Sequence, residues 1–146
     1  MRDLSALLPP LDADYRGSAR SSRFLAVLTV VTTVRSIIHI AAPDGGAQSI
    51  AKLDVDGPQG KNLVALFGQW GLEQLLLAGV CWVVLRRYRS LIPFALLLHV
   101  LDLVGRIGVG RMKPIVVDRP PPGAIGQVAV LPAAAVALWF SLPPHD

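Results

Sequence analysis

The sequence predicts an all-α integral membrane protein, a four-helix bundle with both termini on the cytoplasmic side. Three observations lead there. Hydrophobic residues make up 53% of the 146 residues and charged residues only 16%, with a mean hydropathy of +0.53, too apolar a balance for a soluble domain of this size. Four windows, 23–42, 63–85, 91–109 and 124–142, are each near the roughly 20 residues that cross a hydrocarbon core of about 30 Å. The basic residues gather at the ends of those windows, where membrane proteins carry them, so a net charge of +4 and a pI near 9.8 call for no nucleic-acid partner.

The elements follow in order. Residues 1–22 form a polar lead with a Pro9-Pro10 break and Arg16 and Arg20 close to the membrane. The first apolar run comes late and contains Arg35 and His39, which argues for a permanent helix and against a cleaved signal peptide. Pro43 to Asn62 is a link of about 20 residues whose Pro-Asp-Gly-Gly opening is turn chemistry. The second link, Arg86-Arg87-Tyr88-Arg89-Ser90, is short and basic, giving an antiparallel hairpin and a lipid-headgroup anchor. The third, Gly110 to Gly123, includes Pro120-Pro121-Pro122 and reads as stiff and extended. The fourth span carries Gln127 near its start and small residues around Pro132, which suit close helix packing. A short tail, 143–146, ends the chain, and 23–142 make up one helical domain.

Orientation rests on Lys and Arg. Arg2, Arg16, Arg20, Arg23, Arg86, Arg87 and Arg89 fall on the N-terminal side, and Lys52, Lys61, Arg111, Lys113 and Arg119 on the other. Seven against five favours a cytoplasmic N-terminus in the cell membrane.

The informative residues are the polar ones inside the spans. His99, Asp102 and Arg106 stand at i, i+3 and i+7, within about 60° of one another on a helix. Arg35 and His39 are an i, i+4 pair. Asn62, Gln69 and Glu73 lie within about 40° of each other. At 1.5 Å per residue, His39 and Arg106 come out roughly 5 Å below the outer end of their helices. Arg35, Gln69 and Asp102 then lie roughly 10–12 Å deep, and Glu73 and His99 roughly 16 Å deep. This funnel opens away from the cytoplasm, with the first link over its mouth as a lid would be. Four unpaired charges there would cost roughly 10–14 kcal/mol on the insertion scale, so pairing is expected: Arg35 with Asp102 or Gln69, and Glu73 with His99. The bland reading is that buried hydrogen bonds merely hold the helices together. Matched tiers on three helices exceed what that requires, and intramembrane ionisable groups are functional by default.

The chemistry that fits is acid–base. Glu73, His99 and Asp102 are the candidate catalytic residues: a carboxyl in an apolar site can be held as a general acid, and His99 or Asp102 can act as base. Arg35, His39, Asn62, Gln69, Trp70 and Arg106 are the candidate substrate-binding residues, the arginines stabilising negative charge as it develops. Trp70, Trp82 and Trp139 also read as interfacial or packing residues. The expected function is an isomerase, cyclase or epoxide-opening enzyme (a hydrolase in that last case) acting on a small lipophilic substrate. A proton-coupled small-molecule carrier and a non-catalytic subunit of a membrane redox complex are the alternatives. The bilayer is the expected partner, and homo-oligomerisation is left open.

No cofactor and no metal are expected. Haem ligation by His39 and His99 is disfavoured by their difference in depth of about 10 Å. His99, Asp102 and Glu73 are suitable metal-ligand types without diagnostic spacing. Asp44, Asp54 and Asp56 read as solvated loop acids rather than a calcium loop. The single Cys81 excludes a dithiol relay within the chain.

The stretch Gly71-Leu72-Glu73-Gln74-Leu75-Leu76-Leu77-Ala78-Gly79 resembles the second-helix pattern of the DoxX-like small four-helix membrane proteins. The likeness extends to Arg35 and to the Arg86–Arg89 turn, about half the chain. It implies a four-helix bundle and, as in some members, a place beside quinone-linked or redox partners. His99, Asp102 and Arg106 stand outside that pattern.

Overall fold

The computed structural model describes residues 14–117 and 119–143; most of the N-terminal lead, Asp118 and the last residues of the tail lie outside them. The described residues form four helices and no strand: α1 (Ala19–Ala41), α2 (Gly57–Arg86), α3 (Ile92–Met112) and α4 (Pro122–Ser141), with a 3-10 turn at Arg89–Leu91 before α3. All four are long and apolar enough to cross a membrane. No more than 22% of any apolar window is buried within the chain, so the outer surface is itself hydrocarbon. Val27, Val31, Leu76, Leu101 and Val128 are among the large side chains left facing outward.

Local chemistry sets the helix ends. Ser18 caps α1, its hydroxyl accepting from the Arg20 amide. Pro58, Pro93 and Pro122 stand in the first turns of α2, α3 and α4, where a missing N–H costs nothing and the ring presets φ. The sequence places the start of the second helix at Leu63, and the structure starts it at Gly57. The reason is that hydropathy detects the part of a helix that crosses lipid. The first turns, Gly-Pro-Gln-Gly-Lys-Asn, are polar yet helical. At 1.5 Å per residue a helix of 30 residues runs about 45 Å, well beyond the hydrocarbon core.

The helices associate unevenly. α1 lies along α2 and α3 along α4, α1 also touches α4, and α2 and α3 meet only lightly despite their short connection. The bundle has two storeys. At the end holding both chain termini, Leu25, Cys81, Val84, Ile92, Leu96 and Ala137 form the apolar core, with Tyr15 and Phe24 against it. The Ser18 amide donates to the Phe140 carbonyl at 2.9 Å, tying the two ends together. Burial pushes the Tyr15 phenol up to about 12. The opposite storey, beneath the α1–α2 connection, is polar.

The α1–α2 seam is made of small and hydroxyl side chains. Ser21, Thr29 and Ser36 are buried on α1, and Gly71, Ala78 and Cys81 on α2, the composition that lets membrane helices approach closely. Thr29 and Thr33 hydroxyls bond back to the carbonyls of Leu25 and Thr29, both at 2.7 Å. Trp82 Nε1 donates across the seam to Thr33 Oγ1 at 3.2 Å. At Gly71 the approach is tightest: a Cβ there would stand 2.7 Å from His39 Cβ and 3.1 Å from the Ser36 carbonyl oxygen.

The connection from Ala42 to Asp56 is folded onto the bundle. Gly45 and Gly46 take φ of 59° and 74°, open to glycine without strain, and so turn the chain back over His39. The Asp44 carboxylate accepts from the amides of Gly46, Gln48 and Ser49 at 3.0, 3.1 and 2.6 Å. These bonds hold its carboxyl down at about 2. Ala47 and Ala51 are buried beneath. A shallow open groove lined by Pro43, Asp44, Val55, Lys61 and Val64 runs beside this connection.

Two outcomes follow. Gly71→Val should destabilise the protein by about 1–3 kcal/mol through overpacking, read as an earlier unfolding transition in detergent. Asp44, with its lowered pKa, stabilises the loop at pH values above the free carboxylate range of about 4, and that support is lost as pH falls toward 2. Amide exchange at Gly46, Gln48 and Ser49 should accelerate across that window, and Asp44→Asn should flatten the pH dependence.

Candidate functional site

The polar storey is centred on Trp70. Half-buried on α2, its ring lies 5.2 Å from the His39 imidazole and 5.9 Å from Phe67, centroid to centroid. The Arg35 guanidinium carbon stands 5.1 Å from the indole centroid and that of Arg106 stands 5.0 Å from it, both inside cation–π range. One indole therefore gathers two cations, from α1 and α3, and Arg106 spans the gap where α2 and α3 barely touch. Clustering of this kind follows from depth: the three residues occupy the half of each helix nearest the Ala42–Asp56 connection.

Four residues of this storey, Arg35, Arg106, His39 and His99, have definite partners. Arg35 Nη2 donates to Gln74 Oε1 across the α1–α2 seam. Arg106 Nε donates to Asp102 Oδ2 at 2.8 Å, an i, i+4 ion pair on α3 with side chains 26% and 39% exposed. His39, only 4% exposed, has Nδ1 at 2.6 Å from the Gly45 carbonyl. His99 has Nδ1 at 2.9 Å from the Ala95 carbonyl of its own helix. A carbonyl can only accept, so each ring donates from Nδ1, and in the neutral imidazole that tautomer places the lone pair on Nε2.

Several expected pairings are corrected. Asn62, Gln69 and Glu73 share one face of α2, as their spacing predicts, but that face is exposed. Glu73 forms no hydrogen bond or ion pair among the described residues, so the expected Glu73–His99 pair is absent from them. Arg35 takes Gln74 as its hydrogen-bond partner rather than Asp102 or Gln69. Asp102 pairs within its own helix. The cause is rotation: Gly71, Gln74 and Ala78 face α1, and Glu73, one residue before Gln74, points about 100° away. The connection is not free to swing as a lid, since Gly45 is bonded to His39 and Asp44 to the loop's own amides.

Gln74 is the residue that sequence reasoning missed. Its signal was present in the small residues at i−3 and i+4, Gly71 and Ala78, which mark the packing face. Glu73 drew attention by charge instead. Two further facts concern this site's hydrogen bonding. Among the described residues, the buried donors Arg35 Nε and Gln74 Nε2 have no acceptor, and the buried Ser36 hydroxyl likewise has no partner. Among the described residues no three of His, Cys, Asp and Glu converge to hold a metal ion.

No family model matches the chain, nor does any curated protein or solved structure. The geometry of the site therefore carries the functional argument by itself.

The roles of Gln74 and Glu73 are separable. Gln74→Leu leaves Arg35 Nη2 without its acceptor and should cost about 1–3 kcal/mol. Glu73→Gln, on the outer face, should stay within about 0.5 kcal/mol of the parent. Unfolding titrations in detergent compare the two; a larger loss for Glu73→Gln would invert the assignment of faces.

Proposed function

We propose that the Arg35–Trp70–Arg106 cluster binds the polar head of a small lipophilic molecule, and that the protein is a cell-membrane enzyme performing acid–base chemistry on it. What carries this reading is a charge imbalance. Two guanidiniums converge on one indole, a single carboxylate, Asp102, stands with them, and Glu73 is turned outward. The cluster has one cation in excess, in a region where an uncompensated charge is costly. An electron-rich oxygen on a ligand compensates it. Arg35 Nε and Gln74 Nε2, buried and without acceptors, are the donors that such an oxygen satisfies.

The light contact between α2 and α3 gives the ligand's apolar part a lateral way in from the bilayer. Arg35 and Arg106 then stabilise negative charge developing on a carbonyl, enolate or alkoxide oxygen, the task of an oxyanion site. His99, with its Nε2 lone pair free, is one turn from Asp102 on the same helix and serves as the base. Asp102 orients Arg106 and is the nearest carboxylate for proton exchange. Isomerisation, cyclisation or epoxide opening needs this set. Glu73 is no longer among the catalytic candidates. Asn62 and Gln69 leave the binding set, and His39 supports the site by joining Trp70 to the Gly45 carbonyl. With a cytoplasmic N-terminus the site opens to the opposite side of the membrane.

Organic extraction of the protein purified in mild detergent, followed by mass spectrometry, should recover a lipophilic compound bearing a carbonyl or acid group. Arg35→Gln and Arg106→Gln should each lower its occupancy about 10- to 100-fold, the equivalent of a charge-assisted hydrogen bond of about 1.5–3 kcal/mol. Undiminished recovery from both variants would overturn the proposal.

A further inference from the structure

The outward face of α2 carries a pattern that the inner site does not use. From Leu66, exposed residues recur in alternating steps of three and four: Leu66, Gln69, Glu73, Leu76, Val80 and Val83. Asn62, four residues earlier, is exposed too. The alternation averages 3.5 residues, the spacing that keeps one seam of a helix against a parallel neighbour in a left-handed supercoil. Its four apolar members are between 51% and 64% exposed, and the buried face of α2, Gly71, Gln74, Ala78 and Cys81, looks toward α1.

Lipid alone is a poor occupant for this seam. Gln69 and Glu73 lie between its apolar members, and neither has a hydrogen-bond or ion-pair partner among the described residues. A carboxyl facing acyl chains is expensive, and so is an amide whose donors find no acceptor. A partner must offer hydrogen-bonding groups at these two adjacent levels and apolar side chains on either side of them.

We propose that a second copy of this chain covers the seam, α2 packing in parallel against its counterpart about a two-fold axis along the membrane normal. Such an axis sets identical residues at identical depth. The Gln69 amide of one copy can then donate to the Glu73 carboxyl of the other, and the reciprocal bond forms by symmetry. Leu66, Leu76, Val80 and Val83 meet their own counterparts in apolar layers. The pattern is self-complementary, whereas an unrelated apolar helix leaves Gln69 and Glu73 unpaired. This inference uses none of the ligand-site contacts, whose α2 member Trp70 stands about 60° from Glu73 around the helix.

The test uses the full chain with Cys81→Ala as background, reconstituted in phosphatidylcholine vesicles at low protein density. Single cysteines at Leu66, Leu76, Val80 and Val83 should form disulfide-linked dimers on oxidation at least tenfold more than cysteines at Leu101 on α3 or Val128 on α4. Those two controls are 56% and 68% exposed. Because Cys81 is a core residue, subunit counting by single-molecule photobleaching of the otherwise unaltered protein gives a second readout. It should show pairs, and Gln69→Leu combined with Glu73→Leu should shift them toward single copies. Cross-linking as strong at Leu101 or Val128 as on the seam, or single copies throughout, would overturn the proposal.

Discussion

The close approach of α1 and α2 over Gly71 is the constraint on which the polar half of the molecule depends. Without a side chain at that position, His39 settles against the backbone of α2, and its ring reaches Phe67 and Trp70. The same closeness brings Arg35 within reach of Gln74 and leaves its guanidinium beside the indole. Once His39 is fixed, its Nδ1 proton holds the Gly45 carbonyl, and the connection folds back over the site. A few tenths of an ångström between two helices thus decide where two cations, an imidazole and a loop all stand. Small residues are suited to this role in a membrane, where helices gain little from hiding apolar surface from one another and much from close packing.

The division into an apolar storey and a polar storey follows from the same economy of groups. Near the termini, Leu25, Ile92 and Leu96 fill the bundle and leave no buried charge to satisfy. Near the connection, the glycine at position 71 lets α1 and α2 meet closely and Arg35 bonds Gln74 across them, while Asp102 and Arg106, paired within α3, are surplus to that contact. The cluster they form is incompletely satisfied, with Arg35 Nε and Gln74 Nε2 lacking acceptors. Glu73 and Gln69 are exposed on the same helix, turned away from the face that packs on α1.

Much of the architecture was legible in the residues. Four spans and the turn at Arg86–Arg89 are local properties, set by hydropathy and by backbone chemistry. Helix ends were legible only where polarity changes along with structure, which is why α1 closes one residue before its span and α2 opens six before. For the site, Arg35, His39, Trp70, Asp102 and Arg106 were recognisable as polar or aromatic residues within the spans, and the structure brings Arg35, His39 and Arg106 to Trp70 and pairs Asp102 with Arg106. Gln74 went unrecognised because an amide beside a glutamate attracts less notice than the glutamate, although the small residues around it mark the helix face that packs.

The sequence by itself determined that this chain has four helices able to cross a membrane, and where along each of them the charged residues fall. Those properties depend on spacing along a helix axis, and spacing is written in the chain. Only the tertiary structure decided which of them face one another. A rotation of 100° separates Glu73 from Gln74, and nothing in the periodicity of α2 alone says which of the two turns toward α1. That choice belongs to packing, because the face carrying Gly71, Gln74 and Ala78 is the one narrow enough for α1 to approach.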